Sequence, residues 1–129
     1  MYIHILGSGA GGSPGSRRWR AANLVEANGY LVVVDCGVGC HYRLSDRGVL
    51  GEVDYVFITH SHMDHFLGLP EALFQAHIEE RKKPITIFAP SRVEDTIRAA
   101  APHVLTNMRY AVNIKRIEPG VLLEVPGLR

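Results

Sequence analysis

Directly after Thr59, the run His60-Ser61-His62-Met63-Asp64-His65 gathers three imidazoles and one carboxylate. Neutral imidazole and ionised carboxylate are good ligands for zinc and similar borderline ions. In an extended loop alternate side chains point the same way. His60, His62 and Asp64 are therefore expected on one side and His65 on the other. That arrangement suits two neighbouring metals better than one. A functionless surface cluster is the bland alternative, but it does not explain the position. The run follows Tyr55-Val56-Phe57-Ile58, which reads as a buried strand, and open α/β sheets place their sites at strand ends.

Three other stretches carry groups that could serve such a site. Asp35 closes the apolar run Leu31-Val32-Val33-Val34, and a carboxylate there is costly unless it is paired or hydrogen-bonded. Orienting the metal loop would resolve that cost; capping the next helix would also do so. Gly7 to Gly15 is dense in glycine, which signals tight turns and close backbone approach. It contains G-x-G-x-x-G at Gly7, Gly9 and Gly12. Pro14 and Gly15 interrupt any following helix, so a dinucleotide-binding loop is rejected, although its N–H groups could line an anion site. Arg17, Arg18, Trp19 and Arg20 come next. Arginine forks match phosphates and an indole face accepts a base, which makes these four candidate substrate-binding residues. The plain alternative is a solvated loop with a locally packed tryptophan.

The elements that must position these groups are legible from periodicity. Residues 2–6 read as a first strand. Asn23 to Ala27 and Tyr30 to Asp35 read as a hairpin joined by Asn28-Gly29. The continuously apolar second arm is expected to be buried on both faces. Helices are expected over Val38 to Asp46, Glu71 to Arg81 and Arg92 to Ala101, with further strands over Ile85 to Ala89, Tyr110 to Ile117 and Val121 to Val125. In the Glu71 helix, Leu69, Leu73 and Ala76 share one face, and Pro70 suits the first turn. Strands alternating with helices argue for an α/β layer. His41, His77 and His103 read as surface or packing residues.

Composition narrows the class. The chain has 129 residues, 47% hydrophobic and 21% charged, which describes a soluble globular domain. A net charge of +1 argues against a whole-protein polyanion footprint. No apolar run approaches the roughly 18 residues of a membrane span. The N-terminus lacks the features of a signal peptide, so the cytoplasm is the expected compartment. Cys36 and Cys40 match neither a zinc-ribbon nor a thioredoxin-like spacing and are expected as two reduced thiols.

The order strand, Gly7-Ser8-Gly9 loop, hairpin ending Asp35-Cys36-Gly37, then His60 to His65 and Gly68-Leu69-Pro70, resembles the metallo-β-lactamase superfamily. Within it, the chain looks most like the ribonuclease Z and phosphodiesterase branch. The resemblance implies an α/β fold, the N-terminal half of a four-layer αβ/βα sandwich, in a single domain over 1–129. It implies that His60 and His62 bind a first metal, Asp64 and His65 a second, and that Asp35 supports the loop from behind. Asp64 would also assist proton transfer as the catalytic residue. The implied ions are two Zn2+, with Mn2+ or Fe2+ as alternatives, about 3.5–4 Å apart and activating a water against a phosphodiester. RNA is the implied substrate. The alternatives are a lactone, thioester or cyclic-phosphate hydrolase, or a non-catalytic metal- or nucleic-acid-binding half-domain. Family members draw a third histidine, a bridging aspartate and a final histidine from a later half. This chain is accordingly expected to pair with that half or with another copy.

Overall fold

The computed structural model describes residues 1–11 and 16–129. Its sheet begins at a turn. Asn28 and Gly29 both take positive φ, 50° and 84°, as a two-residue hairpin of the primed type requires. They join β2 (Ala22–Ala27) to β3 (Tyr30–Cys36), and β1 (Tyr2–Gly7) pairs antiparallel on the outer side of β2. Beyond β3 the pairing becomes parallel, through β4 (Tyr55–Phe57), β5 (Ile85–Ala89) and β6 (Val112–Arg116). The strand order is β1-β2-β3-β4-β5-β6.

Parallel neighbours need crossovers. These are supplied by α1 (Cys40–Asp46), α2 (Met63–Phe66) with α3 (Gly68–Ile78), and α4 (Ser91–Ala100) with α5 (His103–Thr106). Every helix sends side chains into one cluster: Leu44, Phe66, Leu69, Leu73, Val93, Ile97 and Val104 meet Val33, Val56, Ile85 and Ile87 of the sheet. The opposite sheet face carries Val32, Val34, Tyr55, Phe57 and Phe88, with the Phe57 and Phe88 rings stacked at 4.7 Å. The final residues drape over part of that face, where Val32, Phe57, Leu122, Leu123 and Leu128 line a cavity of about 540 Å3.

Several boundaries depart from the sequence expectation for identifiable reasons. The third helix ends at Ile78, not Arg81. Glu80 adopts left-handed φ of 63°, Glu80 N–H bonds His77 O, and Arg81 N–H bonds Ala76 O. That is a Schellman cap with glutamate in the position glycine usually holds. The cap turns Arg81 inward, where it is 4% exposed. Its guanidinium donates to the carbonyls of Leu50, Val53, Lys83 and Pro84 at 2.6–3.0 Å. Burial holds this guanidinium below its ordinary pKa. The strand expected over Val121 to Val125 does not form; only a bridge between Val125 and Leu128 remains, because this segment lies across the sheet and not beside an edge.

The cysteines overturn a further expectation. Cys36 and Cys40 are joined as a disulfide, their Cα atoms 5.3 Å apart. Gly37 to Gly39 folds the chain back so that the first residue of α1 meets the last of β3. Sequence spacing does not report that reversal.

Candidate metal centre

The site is built from the ends of β3 and β4. Ala22 pairs with Cys36 while Asn23 pairs with Val34, which leaves Asp35 as the extra residue of a bulge in β3. Asp35 sits at φ 61°, a left-handed conformation that aspartate tolerates better than most residues. Bulges commonly re-aim a side chain near a functional site. Here the carboxylate, 5% exposed as a residue, points at the loop after β4. Its Oδ1 accepts Thr59 N–H at 2.8 Å, Thr59 Oγ1 lies 2.9–3.0 Å from both carboxylate oxygens, and Oδ2 pairs with His65 Nδ1 at 2.7 Å. Asp35 is not the helix cap, since the N-cap of α1 is Gly39.

The loop itself is not extended throughout. His62, at φ −70° and ψ 138°, is the N-cap of the helical turn α2, and His65 N–H bonds His62 O at 3.0 Å. The turn swings His65 back toward His60, against the expectation that it points away. Their ring centroids lie 4.1 Å apart, and those of His60 and His62 4.7 Å. His65 Nε2 lies 3.3 Å from Asp64 Oδ2. The structure thus brings His60, His62, Asp64, His65 and Asp35 together.

A cleft of about 600 Å3 opens beside them, lined by Gly11, Arg20, Val38, His62, Asp64 and Leu67 among others. Two glycines permit this geometry by close approach. A Cβ at Gly11 would lie 2.6 Å from Asp64 Cγ and Oδ2, and one at Gly68 would collide with the carbonyl of Gly37. Of the four candidate substrate residues, Arg20 lines the cleft and anchors its head on Ala10 O at 2.5 Å. Trp19 packs instead against Gly39 and Tyr42, its ring 5.7 Å from the tyrosine. Arg18 reaches Ser8 Oγ at 3.4 Å, and Arg17 is exposed. Gly12, Pro14 and Gly15 lie outside the described residues. Gly9 pairs with Arg20, and the next element among the described residues is β2.

The donor chemistry fits a divalent ion. His65 uses Nδ1 on Asp35, which leaves Nε2 for a ligand. Among the described residues, however, no three His, Cys, Asp or Glu side chains are placed to hold an ion by themselves. The other four histidines stand apart: His4 Nε2 meets Glu26 Oε2 at 2.6 Å, His77 Nδ1 accepts Arg109 N–H at 3.0 Å, the His41 ring lies tilted against Tyr42 with centroids 4.0 Å apart, and His103 is exposed. Sequence reasoning gave no site role to Thr59, Val38 or Leu67, and placed Gly11 only within a glycine-dense loop of close backbone approach. Only the hydroxyl directly preceding the first histidine offered a signal.

Sheet order and the H-x-H-x-D-H loop at the end of β4 define a metallo-β-lactamase-fold protein. Human tRNase Z, short form, superposes with a TM-score of 0.74 at 29% identity, over 88% of this chain and 44% of that one. A diphosphatase of the PhnP family, at 20% identity and TM-score 0.68, shares the fold over 90% of this chain and 50% of that one. The chain belongs to the family described as Anti-Pycsar protein Apyc1, whose model matches residues 1–109. Curated relatives include ribonuclease Z of Clostridium beijerinckii, 36% identical over 87% of this chain, and that of Geobacillus kaustophilus, 29% over 96%. The chain spans 36% and 41% of the length of those two relatives. No helix among the described residues is long and apolar enough to cross a membrane.

Proposed function

We propose that this chain carries the first half of the active site of a metal-dependent phosphodiesterase acting on RNA. The observation that carries this reading is the convergence of His60, His62, Asp64 and His65 at the end of β4, beside a cleft that also holds Arg20. His60 and His62 would hold one divalent ion, Asp64 and His65 a second, with Zn2+ favoured by the nitrogen-rich donor set and Mn2+ or Fe2+ as alternatives. Such ions supply Lewis acidity to phosphate oxygens and lower the pKa of water. Asp64, whose carboxylate edges the cleft, accepts a proton during attack. Arg20 offers fixed N–H donors to a phosphate. Asp35 holds the loop from behind. The remaining ligands are to come from the later part of the fold, docked on the apolar face of Val34, Tyr55, Phe57 and Phe88.

RNA is supported by the ribonuclease Z relatives. A small cyclic phosphate diester is the second phosphodiester worth testing, because the cleft falls within the size range of small-molecule sites. A non-catalytic metal-binding role is the reading from a different class. Metal analysis with a bis(nitrophenyl) phosphate assay on the full-length protein separates the readings. Two metals with turnover, and loss of one metal in His62→Ala, are expected. Metal without turnover would leave only the binding role. Parallel assays with pre-tRNA and a cyclic nucleotide then choose the substrate.

A further inference from the structure

Thr59 occupies a position whose proton count fixes the state of its neighbour. Its Oγ1 lies 2.9 Å from Asp35 Oδ2, 3.0 Å from Asp35 Oδ1 and 2.9 Å from His60 Nδ1. A hydroxyl has one hydrogen to give, and a carboxylate can only accept. If Thr59 gave its hydrogen to His60, its lone pairs would face both carboxylate oxygens at hydrogen-bond distance with no proton between. The hydrogen therefore goes to Asp35. The oxygen then accepts from His60, so Nδ1 of that ring must carry the proton and Nε2 is left bare.

We infer that Thr59 is a positioning residue that relays the Asp35 carboxylate to His60 and locks His60 in the Nδ1–H tautomer, as Asp35 alone does for His65. One buried carboxylate thereby sets two rings that are five residues apart in sequence, His65 directly at 2.7 Å and His60 through a hydroxyl. Both rings then carry the proton on Nδ1, and the Nε2 of His65 lies 3.3 Å from Asp64 Oδ2. The Thr59 backbone assists, because its N–H is held on Asp35 Oδ1 at 2.8 Å and keeps the hydroxyl in register. The ligand role of His60 rests on the function proposed above, whereas the tautomer does not.

The test separates the two. In metal-free, 15N-labelled protein at about pH 8, above the ordinary imidazole range, two-bond proton–nitrogen spectra report which ring nitrogen is protonated. His60 and His65 are expected as Nδ1–H tautomers. Thr59→Val keeps the backbone bond and the β-branched shape but removes the relay. In that variant His60 should move to the Nε2–H form that an unconstrained imidazole prefers in water, while His65 stays as it is. Thr59→Ser should restore the wild-type spectrum. Metal affinity should fall about 10–100-fold in Thr59→Val and recover in Thr59→Ser. An Nε2–H His60 in the wild type, or an unmoved one in Thr59→Val, overturns the relay even if metal still binds. Should the valine variant fail to fold, the wild-type spectrum alone decides. A correct tautomer in a protein that binds no metal at His60 would leave the relay standing and refute the ligand assignment.

Discussion

Asp35 Oδ2 and His65 Nδ1, thirty residues apart in sequence, meet at 2.7 Å because the bulged, left-handed Asp35 turns its carboxylate toward the end of β4. The same carboxylate takes the N–H and hydroxyl of Thr59. Asp35→Asn keeps the shape and the tolerance of positive φ but places an amide donor against groups that already donate. Metal affinity of the full-length protein is expected to fall about 10–100-fold, as measured by competition with a chromophoric chelator. Wild-type affinity in that variant would disconnect Asp35 from the site.

Gly11 touches the Asp64 carboxylate, and a methyl there would sit 2.6 Å from Cγ. Gly11→Ala should displace Asp64 without altering the fold. The expected result is a loss of about 10–100-fold in phosphodiester turnover with an unchanged far-UV spectrum, since small misplacements of a reacting group cost that much. Retained kcat would show that the carboxylate adapts.

Arg81 ties four backbone carbonyls together inside the helical layer. Arg81→Met fills similar space but leaves those carbonyls unpaired. A destabilisation of about 3–5 kcal/mol is expected in urea unfolding, with metal content per folded molecule unchanged.

Tyr110 lies beneath that guanidinium, 5.2 Å from ring centroid to Cζ, and donates its hydroxyl to Leu73 O at 2.6 Å. Burial pushes its pKa up to about 12 from the ordinary 10.0. The folded state therefore favours the neutral phenol. Its contribution to stability is complete below about pH 10 and is lost as pH rises toward 12. Ultraviolet titration should show a late phenolate step that is absent in Tyr110→Phe. If the two titrations coincide, the phenol is not buried as described.

Cys36 and Cys40 are the only cysteines of the chain. Unfolding without reductant should expose no free thiol, and dithiol treatment should release two. Closing so short a loop is worth about 2 kcal/mol by chain entropy, which sets the expected loss in unfolding free energy on reduction. Two thiols without reductant would restore the reduced pair read from sequence.

Much of this protein follows from local pattern. The Asn28-Gly29 hairpin, the apolar strands before Asp35 and Thr59, and the alternation of strand and helix are short-range signals, because side-chain period and turn chemistry are set within a few residues. The H-x-H-x-D-H run identifies itself by residue type. What sequence does not contain is the sign of φ at single residues and the direction in which a side chain leaves a packed element. Left-handed Asp35 supports the loop from Thr59 to His65, and left-handed Glu80 shortens a helix and buries an arginine. The turn at Met63 sends His65 toward His60 where an extended loop would send it away. Packing of Trp19 on Gly39 leaves Arg20, alone of the four residues proposed to bind substrate, lining the cleft. Sequence by itself determined which groups are available for chemistry. Tertiary structure decided which of them meet, because convergence depends on backbone reversals and contacts between residues far apart in the chain.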